Sequence, residues 1–479
     1  MRKFLLSLLV ICLAAGCVPA ACADDSTFAW TLRIAAEGSV FADAMCLLQD
    51  GGVYLAGRVE GDADCGESLG GRDAFVAAVS ADGEILWQKR FGGSEDDRFT
   101  HVIEGLGGGC LALGVTESSD GDCRAARGMQ DAFLARIDEN GETLWTKCLG
   151  GSADDELLAI SLWEEGGYLV CGRTKSRNGD LGANYGGWDA WAMLLSEADG
   201  KPQWVYRYGE DGDDGFSLIL PQYDRWLLAG ELGAPASDEK AASSQPVVIT
   251  LSSSGEAIGE QTLGGSGTSV LVSALETESG WLLAGQTNAS SALMPKGHGG
   301  MDLWALLMRQ NGTVGWQRTY GGSKDETLVS VMLVSTGGFL YLAETQSDDG
   351  QVSGGHGAKD VWVAKVSAQG ALEWQQTLGG GRVSSAAGAI EDGAGGYLVA
   401  GSSAAQDGDI GWHTSMTTGF LAHLAANGNL TRMELLGGAE EFHAVQLSRG
   451  DEGAYLLGAT RRANTTGIED EIWLGKLSE

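Results

Sequence analysis

Along this chain apolar residues come in short runs separated by turns of Gly, Asp and Asn. Residues 359–380 show the pattern most clearly. Val361, Trp362, Val363 and Val366 form one run, Leu372, Trp374 and Leu378 form the next, and Gly379-Gly380 closes the pair. Runs of roughly four to eight residues rich in Val, Leu, Trp and Tyr read as strands. After the N-terminal segment no window keeps a 3.6-residue apolar period. The chain is therefore expected to be all-β.

The pattern repeats. Its closing glycine turn recurs at Gly92, Gly150, Gly209, Gly264, Gly321, Gly379 and Gly437, at intervals of 55 to 59 residues, and a period of this size signals a repeat architecture. Each unit offers four strands, a to d. Strand a is a mixed apolar run such as residues 328–334, and strand b follows a glycine turn, as at residues 396–401. Strand c opens on an aspartate three residues after a glycine, at Asp73, Asp131, Asp189, Asp302 and Asp360. These aspartates are expected to pin their loops to backbone amides. Strand d carries Gly-x-x-x-Trp, at Gly83/Trp87, Gly141/Trp145, Gly200/Trp204, Gly312/Trp316 and Gly370/Trp374. Two units keep the glycine and lose the indole, at Gly255/Gly259 and Gly428/Arg432.

Strands a, b and c occur eight times. Strand d occurs seven times after Gly38, and a lone copy around Trp30 precedes the first unit. An open stack of β units, the alternative, has no reason to keep an unpaired strand d at one end and lack one at the other. A ring does, because the N-terminal strand then completes the last unit and both edges vanish. The expected fold is an eight-bladed β-propeller of four-stranded blades, one domain over residues 24–479. Trp30, Trp87, Trp145, Trp204, Trp316 and Trp374 are expected to build the repeat. Gly is 75 of 479 residues and Pro only 6, which suits many tight turns and excludes collagen.

Met1-Arg2-Lys3 and the apolar stretch that ends at Ala15 read as an export signal, too short to span a bilayer. Two processing sites are legible. Ala14-Ala15-Gly16-Cys17 matches a lipobox, which makes Cys17 the lipidated residue. Ala21-Cys22-Ala23 suits ordinary cleavage and gives a signal peptide of residues 1–23. The lipobox is the favoured reading, and both export the protein. Export permits disulfides. Cys46, Cys110 and Cys171 are expected as buried strand thiols, whereas Cys65 and Cys123 occupy corresponding loops of adjacent repeats and are the expected oxidisable pair. A net charge of −34 argues against nucleic acid and against anionic lipid surfaces. It is compatible with divalent cations or basic partners.

The d–a and b–c loops are the longer, variable segments and are expected on one face, with short a–b and c–d turns opposite. Binding is expected on the loop face. Its d–a loops are acidic, and Asp96, Asp97, Asp154, Asp155, Asp213 and Asp214 are the candidate calcium ligands. The plainer and favoured reading is that each satisfies amides of its own turn. Asp120-Gly121-Asp122, Asn178-Gly179-Asp180 and Asp407-Gly408-Asp409 in the b–c loops lack the spacing of a calcium loop. No other cofactor is expected. His298, His356 and His413 sit in comparable loops of consecutive units, too far apart for one zinc ion. With Tyr185, Trp188 and Trp412 they are the candidate ligand contacts, although Trp188 equally suits packing at the edge of strand c. No G-x-S-x-G, H-E-x-x-H or P-loop occurs, so no catalytic residue is assigned.

The elements W-x-x-x-[YFL]-G-G-S, G-G-[YF]-L-x-A-G and D-x-W-x-x-x-[LV], over residues 29–477, make the chain resemble bacterial exported β-propeller repeat proteins, many of them lipoproteins. The resemblance implies fold and export, and that group shares no activity to carry over. G-x-x-x-W is also similar to the tryptophan motif of quinoprotein-type eight-bladed propellers. The repeat here is longer and the adjacent cysteines of their quinone site are absent, so no quinone cofactor is implied. The expectation is a monomeric, lipid-anchored cell-surface binding or scaffold protein, not an enzyme, whose loop face engages a protein or a glycan. The alternatives are an enzyme acting on a cell-surface polysaccharide at the channel mouth, a structural spacer in a surface assembly, and a freely secreted form.

Overall fold

The computed structural model describes residues 21–22, 27–163, 166–182, 184–222, 225–233, 244–263, 265–289, 297–438, 440–463 and 468–478. Cys17 and the Ala/Ser-rich part of the fourth unit at 234–243 lie outside them. The chain forms eight four-stranded antiparallel blades in sequence order, at residues 40–91, 97–149, 155–208, 215–262, 269–320, 326–378, 384–436 and 441–477. The eighth takes its strand d from the N-terminus. Phe28–Ile34 pairs with Ile468–Leu477, Leu32 standing opposite Leu474, and the propeller is closed. Helical structure among the described residues is one 3-10 turn, Gly121–Cys123. Ala21–Cys22 runs parallel to strand d of the seventh blade, opposite Glu434 and Leu435.

One distortion recurs in every blade. The register of strand a against strand b slips, between Ala42 and Ala44 in the first blade and between Ala444 and Gln446 in the last. A bulge of this kind increases local right-handed twist. Strand c is buried on both faces; Asp131–Ile137, for example, is buried at all its positions. That is why strands b and c read as continuous apolar runs rather than alternating ones. The core lies between blades. Each of eight clusters of buried side chains spans two successive blades. The cluster that joins the last blade to the first holds Ile34, Val40, Val53, Tyr455, Leu457, Ile472 and Leu474.

Six of the eight junctions carry the same staple. The indole N–H on strand d donates to the second residue of the next blade's c–d turn. The pairs are Trp30 to Ala81 O (2.9 Å), Trp87 to Glu139 O (3.0 Å), Trp145 to Glu197 O (2.8 Å), Trp204 to Ser253 O (3.1 Å), Trp316 to Ala368 O (2.9 Å) and Trp374 to Ala426 O (3.1 Å). The ring lies on the glycine of that turn. A Cβ at Gly141 would stand 2.8 Å from Trp87 Cγ, and one at Gly370 2.9 Å from Trp316 Cε3. The Gly and Trp of Gly-x-x-x-Trp therefore act at different junctions: Gly141 seats Trp87 and Trp145 reaches forward to the third blade. The seventh blade has Arg432 in place of Trp because the eighth has no c–d turn to receive an indole. Its strands c and d are joined by backbone pairing alone, from Phe28 opposite Leu477 to Ile34 opposite Ile472.

The disulfide corrects the expected pairing. Cys123 is bonded to Cys148, with Cα atoms 5.7 Å apart, and Cys65 is a free thiol. Cys123 and Cys148 belong to one blade, in the 3-10 turn of its b–c loop and on its strand d. Cys65 belongs to the preceding blade, and packed sheets stand about 10 Å apart, beyond the roughly 4.4–6.8 Å that a disulfide bridges. Cys110 and Cys171 are buried, and Cys46 is half-buried.

Two measurements check these features. Gly141 and Gly312 share a positive φ (81° and 80°), but a Cβ at Gly312 meets nothing within 4 Å. Gly312→Ala should cost about 1–2 kcal/mol for backbone strain alone, and Gly141→Ala about 1–3 kcal/mol more for the displaced indole, read from denaturant unfolding. Equal costs would contradict the seat. Cys148→Ala opens a cross-link over a sequence separation of 25 and should lose about 3 kcal/mol; an unchanged midpoint would count against the bond.

Candidate functional site

At four junctions the glycine turn of a d–a loop is lodged against the next blade's b–c loop, which places both loop sets on one face. Ser94 N–H donates to Asp120 Oδ1 (2.8 Å), Ser152 N–H to Asn178 Oδ1 (2.9 Å), Ser323 N–H to Asp349 Oδ1 (2.7 Å) and Gly381 N–H to Asp407 Oδ1 (2.6 Å). The last residue of the Asp-Gly-Asp triplet reaches the first glycine: Gly92 N–H donates to Asp122 Oδ2 (3.0 Å) and Gly379 N–H to Asp409 Oδ2 (3.3 Å). That first glycine has no room for a side chain. A Cβ at Gly150 would fall on Asp131 Oδ1 and Asp155 Oδ2, and one at Gly321 on Asp302 Oδ1 and Glu326 Oε2.

The carboxylates of this face are engaged in building it. At the head of strand a, Asp97 Oδ2 accepts Gly93 N–H (2.9 Å) and Ser118 Oγ–H (2.8 Å). Asp155 Oδ2 accepts Gly151 N–H (2.7 Å) and Ser176 Oγ–H (2.8 Å), and its Oδ1 accepts the Thr174 hydroxyl. Asp214 accepts Glu210 N–H (2.7 Å) and Gly233 N–H (2.9 Å). At the head of strand c, Asp73 Oδ2 accepts Leu69 N–H (3.1 Å) and the buried Arg90 guanidinium (2.7 Å). Asp131 Oδ2 accepts Arg127 N–H (2.6 Å), Asp302 Oδ2 His298 N–H (2.7 Å) and Asp360 Oδ2 His356 N–H (2.7 Å); Asp189 accepts Tyr185 N–H. Among the other residues considered for calcium, Asp96 accepts Arg72 N–H (2.9 Å), Asp154 pairs with Lys175 Nζ (3.1 Å) and Asp213 accepts Trp188 N–H (3.0 Å). Among the described residues no group of three or more His, Cys, Asp and Glu is arranged to hold a metal.

Burial shapes the electrostatics. It pushes Asp155 up to about 6, with repulsion from Asp131 adding to it, and pushes Asp189 up to about 6, with Asp214 adding. Asp73, Asp97, Asp214, Asp302 and Glu326 rise for the same primary reason. Asp131 Oδ1 and Asp189 Oδ1 are buried without a hydrogen-bond partner among the described residues. Burial and a neighbouring like charge both disfavour the charged form of a carboxyl.

The candidate ligand contacts do not converge. Tyr185 and Trp412 are exposed, by 60% and 74%, but belong to the third and seventh blades, on opposite sides of an eight-membered ring. Arg173 Cζ and Lys175 Nζ each lie 4.4 Å from the centre of the Trp188 ring, two cation–π contacts that engage it within its own blade. His298 Nδ1 is 3.4 Å from Asp302 Oδ1. His356 stands between Asp360 (3.8 Å) and Asp409 (3.7 Å), which raise its pKa. His413 is buried, Nε2 2.6 Å from Ala405 O and Nδ1 3.0 Å from Ser415 O. Sequence reasoning passed over Leu69, Met129, Val383 and Met416, all exposed on these loops; Leu69 and Met129 stand beside a glycine, Gly70 and Gly128, and Val383 and Met416 carry no such signal.

No protein-family model matches the chain. An alignment 283 positions long, which takes in 52% of the chain, is 26% identical to the regulatory protein FlaEY of Caulobacter vibrioides and covers 29% of that protein, so the chain spans less than a third of that relative's length. Solved structures with a similar trace include puromycin hydrolase, at 12% identity and a TM-score of 0.42, matching 88% of this chain and 59% of that one. Prolyl oligopeptidase B from Galerina marginata matches at 10% identity and a TM-score of 0.43, over 89% and 56%. Neither likeness bears on activity.

The raised carboxyls set a pH dependence. At Asp155 and Asp189 the folded pKa of about 6 exceeds the ordinary value of 3.8, so the folded state holds these two protons more tightly than the unfolded chain. Their contribution favours the fold fully below about pH 4 and is lost as pH rises through about 6. Asp189→Asn keeps an acceptor for Tyr185 N–H and sets an amide where Oδ1 stood. Its thermal midpoint should match wild type near pH 4 and exceed it by a few degrees at neutral pH. Parallel pH profiles for the two proteins would contradict a raised Asp189.

Proposed function

We propose that this chain is an exported, lipid-anchored binding or scaffold protein that engages a protein partner through its d–a/b–c loop face. Apolar side chains at the tips of that face's loops carry this reading. Leu69, Met129, Tyr185, Val383, Trp412 and Met416 are exposed there, while the other six exposed large apolar side chains among the described residues lie on strands a and d. Apolar anchors in a polar surround suit protein recognition. A glycan platform asks for clustered aromatics, and Tyr185 and Trp412 stand apart. An enzyme asks for polar groups that converge on a substrate. His356, the best placed, has Nδ1 and Nε2 against carboxylates.

The anchor fits the same picture. The closing strand begins at Phe28, opposite Leu477, on the side of the c–d turns. A lipid on Cys17 tethers the molecule through its N-terminal segment. A photo-cross-linking residue at Met129 or Trp412 should give discrete protein adducts on intact cells, and one at Asn140, on the opposite turns, should give none. Equal adducts from both faces would contradict the reading. Cys17→Ser should move the protein from the membrane fraction to the soluble one; unchanged fractionation would remove the anchor.

A further inference from the structure

The junction between the fourth and fifth blades has everything a staple needs except the indole. Strand d of the fourth blade, Ala257–Thr262, places Gly259 opposite Thr250. Trp316 stands opposite Leu307 and Trp374 opposite Lys365 at the same register, so Gly259 occupies the tryptophan position. The receiving turn is intact. Gly312 N–H donates to Arg309 O (2.8 Å) and Arg309 N–H to Thr313 O (2.8 Å), as Gly370 does to Ser367 (2.9 Å) and Ser367 to Ala371 (2.8 Å) in the next blade. Gly312 is needed for that turn in any case, because of its φ of 80°, so its presence alone says nothing about a ligand.

What does speak for one is the space. A Cβ at Gly312 meets nothing within 4 Å, and the place of the missing ring is part of a cavity of about 330 Å³ lined by Thr250, Gly259, Trp281, Met308, Gln310 and Gly312. Gln310 is the second residue of the turn, the position whose carbonyl receives the indole N–H at all six filled junctions. Trp281, 5% exposed, has its Nε1 buried without a hydrogen-bond partner among the described residues. A buried N–H left unmatched is costly, but Trp191 and Trp304 share this state and do not line the cavity, so the space and the intact turn are what point to an occupant.

We infer that this cavity is a binding slot for a tryptophan side chain presented by a partner polypeptide, its ring on Gly312 and its N–H on Gln310 O. The six filled junctions define the ligand, since the same chain builds the same seat around an indole each time. The slot lies on the c–d turn side and is independent of the loop face.

The probe is N-acetyl-L-tryptophanamide, titrated by ligand-observed NMR against the full chain. Saturable binding is expected, weakened about fivefold when the indole nitrogen is methylated, the equivalent of one hydrogen bond. N-acetyl-L-leucinamide should not compete. Gly259→Trp supplies the ring from within; it should abolish binding and raise the thermal midpoint. Gly312→Ala puts a methyl on the seat and should also abolish binding, which decides the matter if the first variant does not fold. No saturable binding to wild type, or binding unchanged in Gly312→Ala, would overturn the slot. Free indole binding more tightly than the amide would overturn the peptide-borne occupant, and so would concentration-dependent self-association that is lost in both variants, because it makes a second copy the occupant.

Discussion

The ring depends on one contact made six times, an indole laid over a glycine in the neighbouring blade with its N–H on the carbonyl beside that glycine. Each part has a physical role. The ring supplies buried area, and the N–H fixes direction. The missing Cβ lets the two blades approach. A net hydrogen bond of about 1 kcal/mol is modest singly, but the contact lies where each blade meets the next, so it sets their mutual angle. Blades of a repeat protein cannot bury their faces alone, and the buried clusters here all bridge two blades. Trp30 matters twice: its strand completes the eighth blade by backbone pairing, and its indole locks that blade to the first through Ala81.

Much of this was legible because it repeats. The glycine turns, the aspartates at the head of strand c and the spacing of Gly to Trp each recur at constant offsets, and the odd strand at Trp30 required a ring. What the sequence concealed were relations between repeats. Gly-x-x-x-Trp looks like one local motif, yet its two residues serve adjacent junctions. Cys65 and Cys123 look like partners because they are equivalent, and equivalence is the reason they cannot meet: matching points on two blades are held a sheet spacing apart. Cys148 was reachable because it returns along the same blade. The partners of the acidic loops were not legible either: Asp97 and Asp155 accept amides and hydroxyls, some of them about twenty residues away. Nothing in the local sequence of Trp188 announces Arg173 and Lys175, which flank it from strand b of its own blade and the loop that follows.

The two faces of the ring follow different rules. On the c–d side, short turns receive indoles and leave little to vary. On the loop side, carboxylates hold the glycine turns in place, several of them protonated more readily than usual, and this fixed frame presents Met129, Trp412 and Met416 to solvent. The negative charge thus has a structural origin on the face proposed to bind, and specificity there rests with the side chains the repeat leaves free. The fourth blade is the exception on the c–d side, where the repeat keeps its turn and omits its ring.

Hydrogen exchange by mass spectrometry on the intact chain tests the staple most directly, because protection reports local opening. Strand d of the fourth blade, Ala257–Thr262, should exchange markedly faster than Val314–Tyr320 and Leu372–Leu378, whose indoles reach the next blade. Equal protection across these three strands would mean that the indole contact does not hold the blades together.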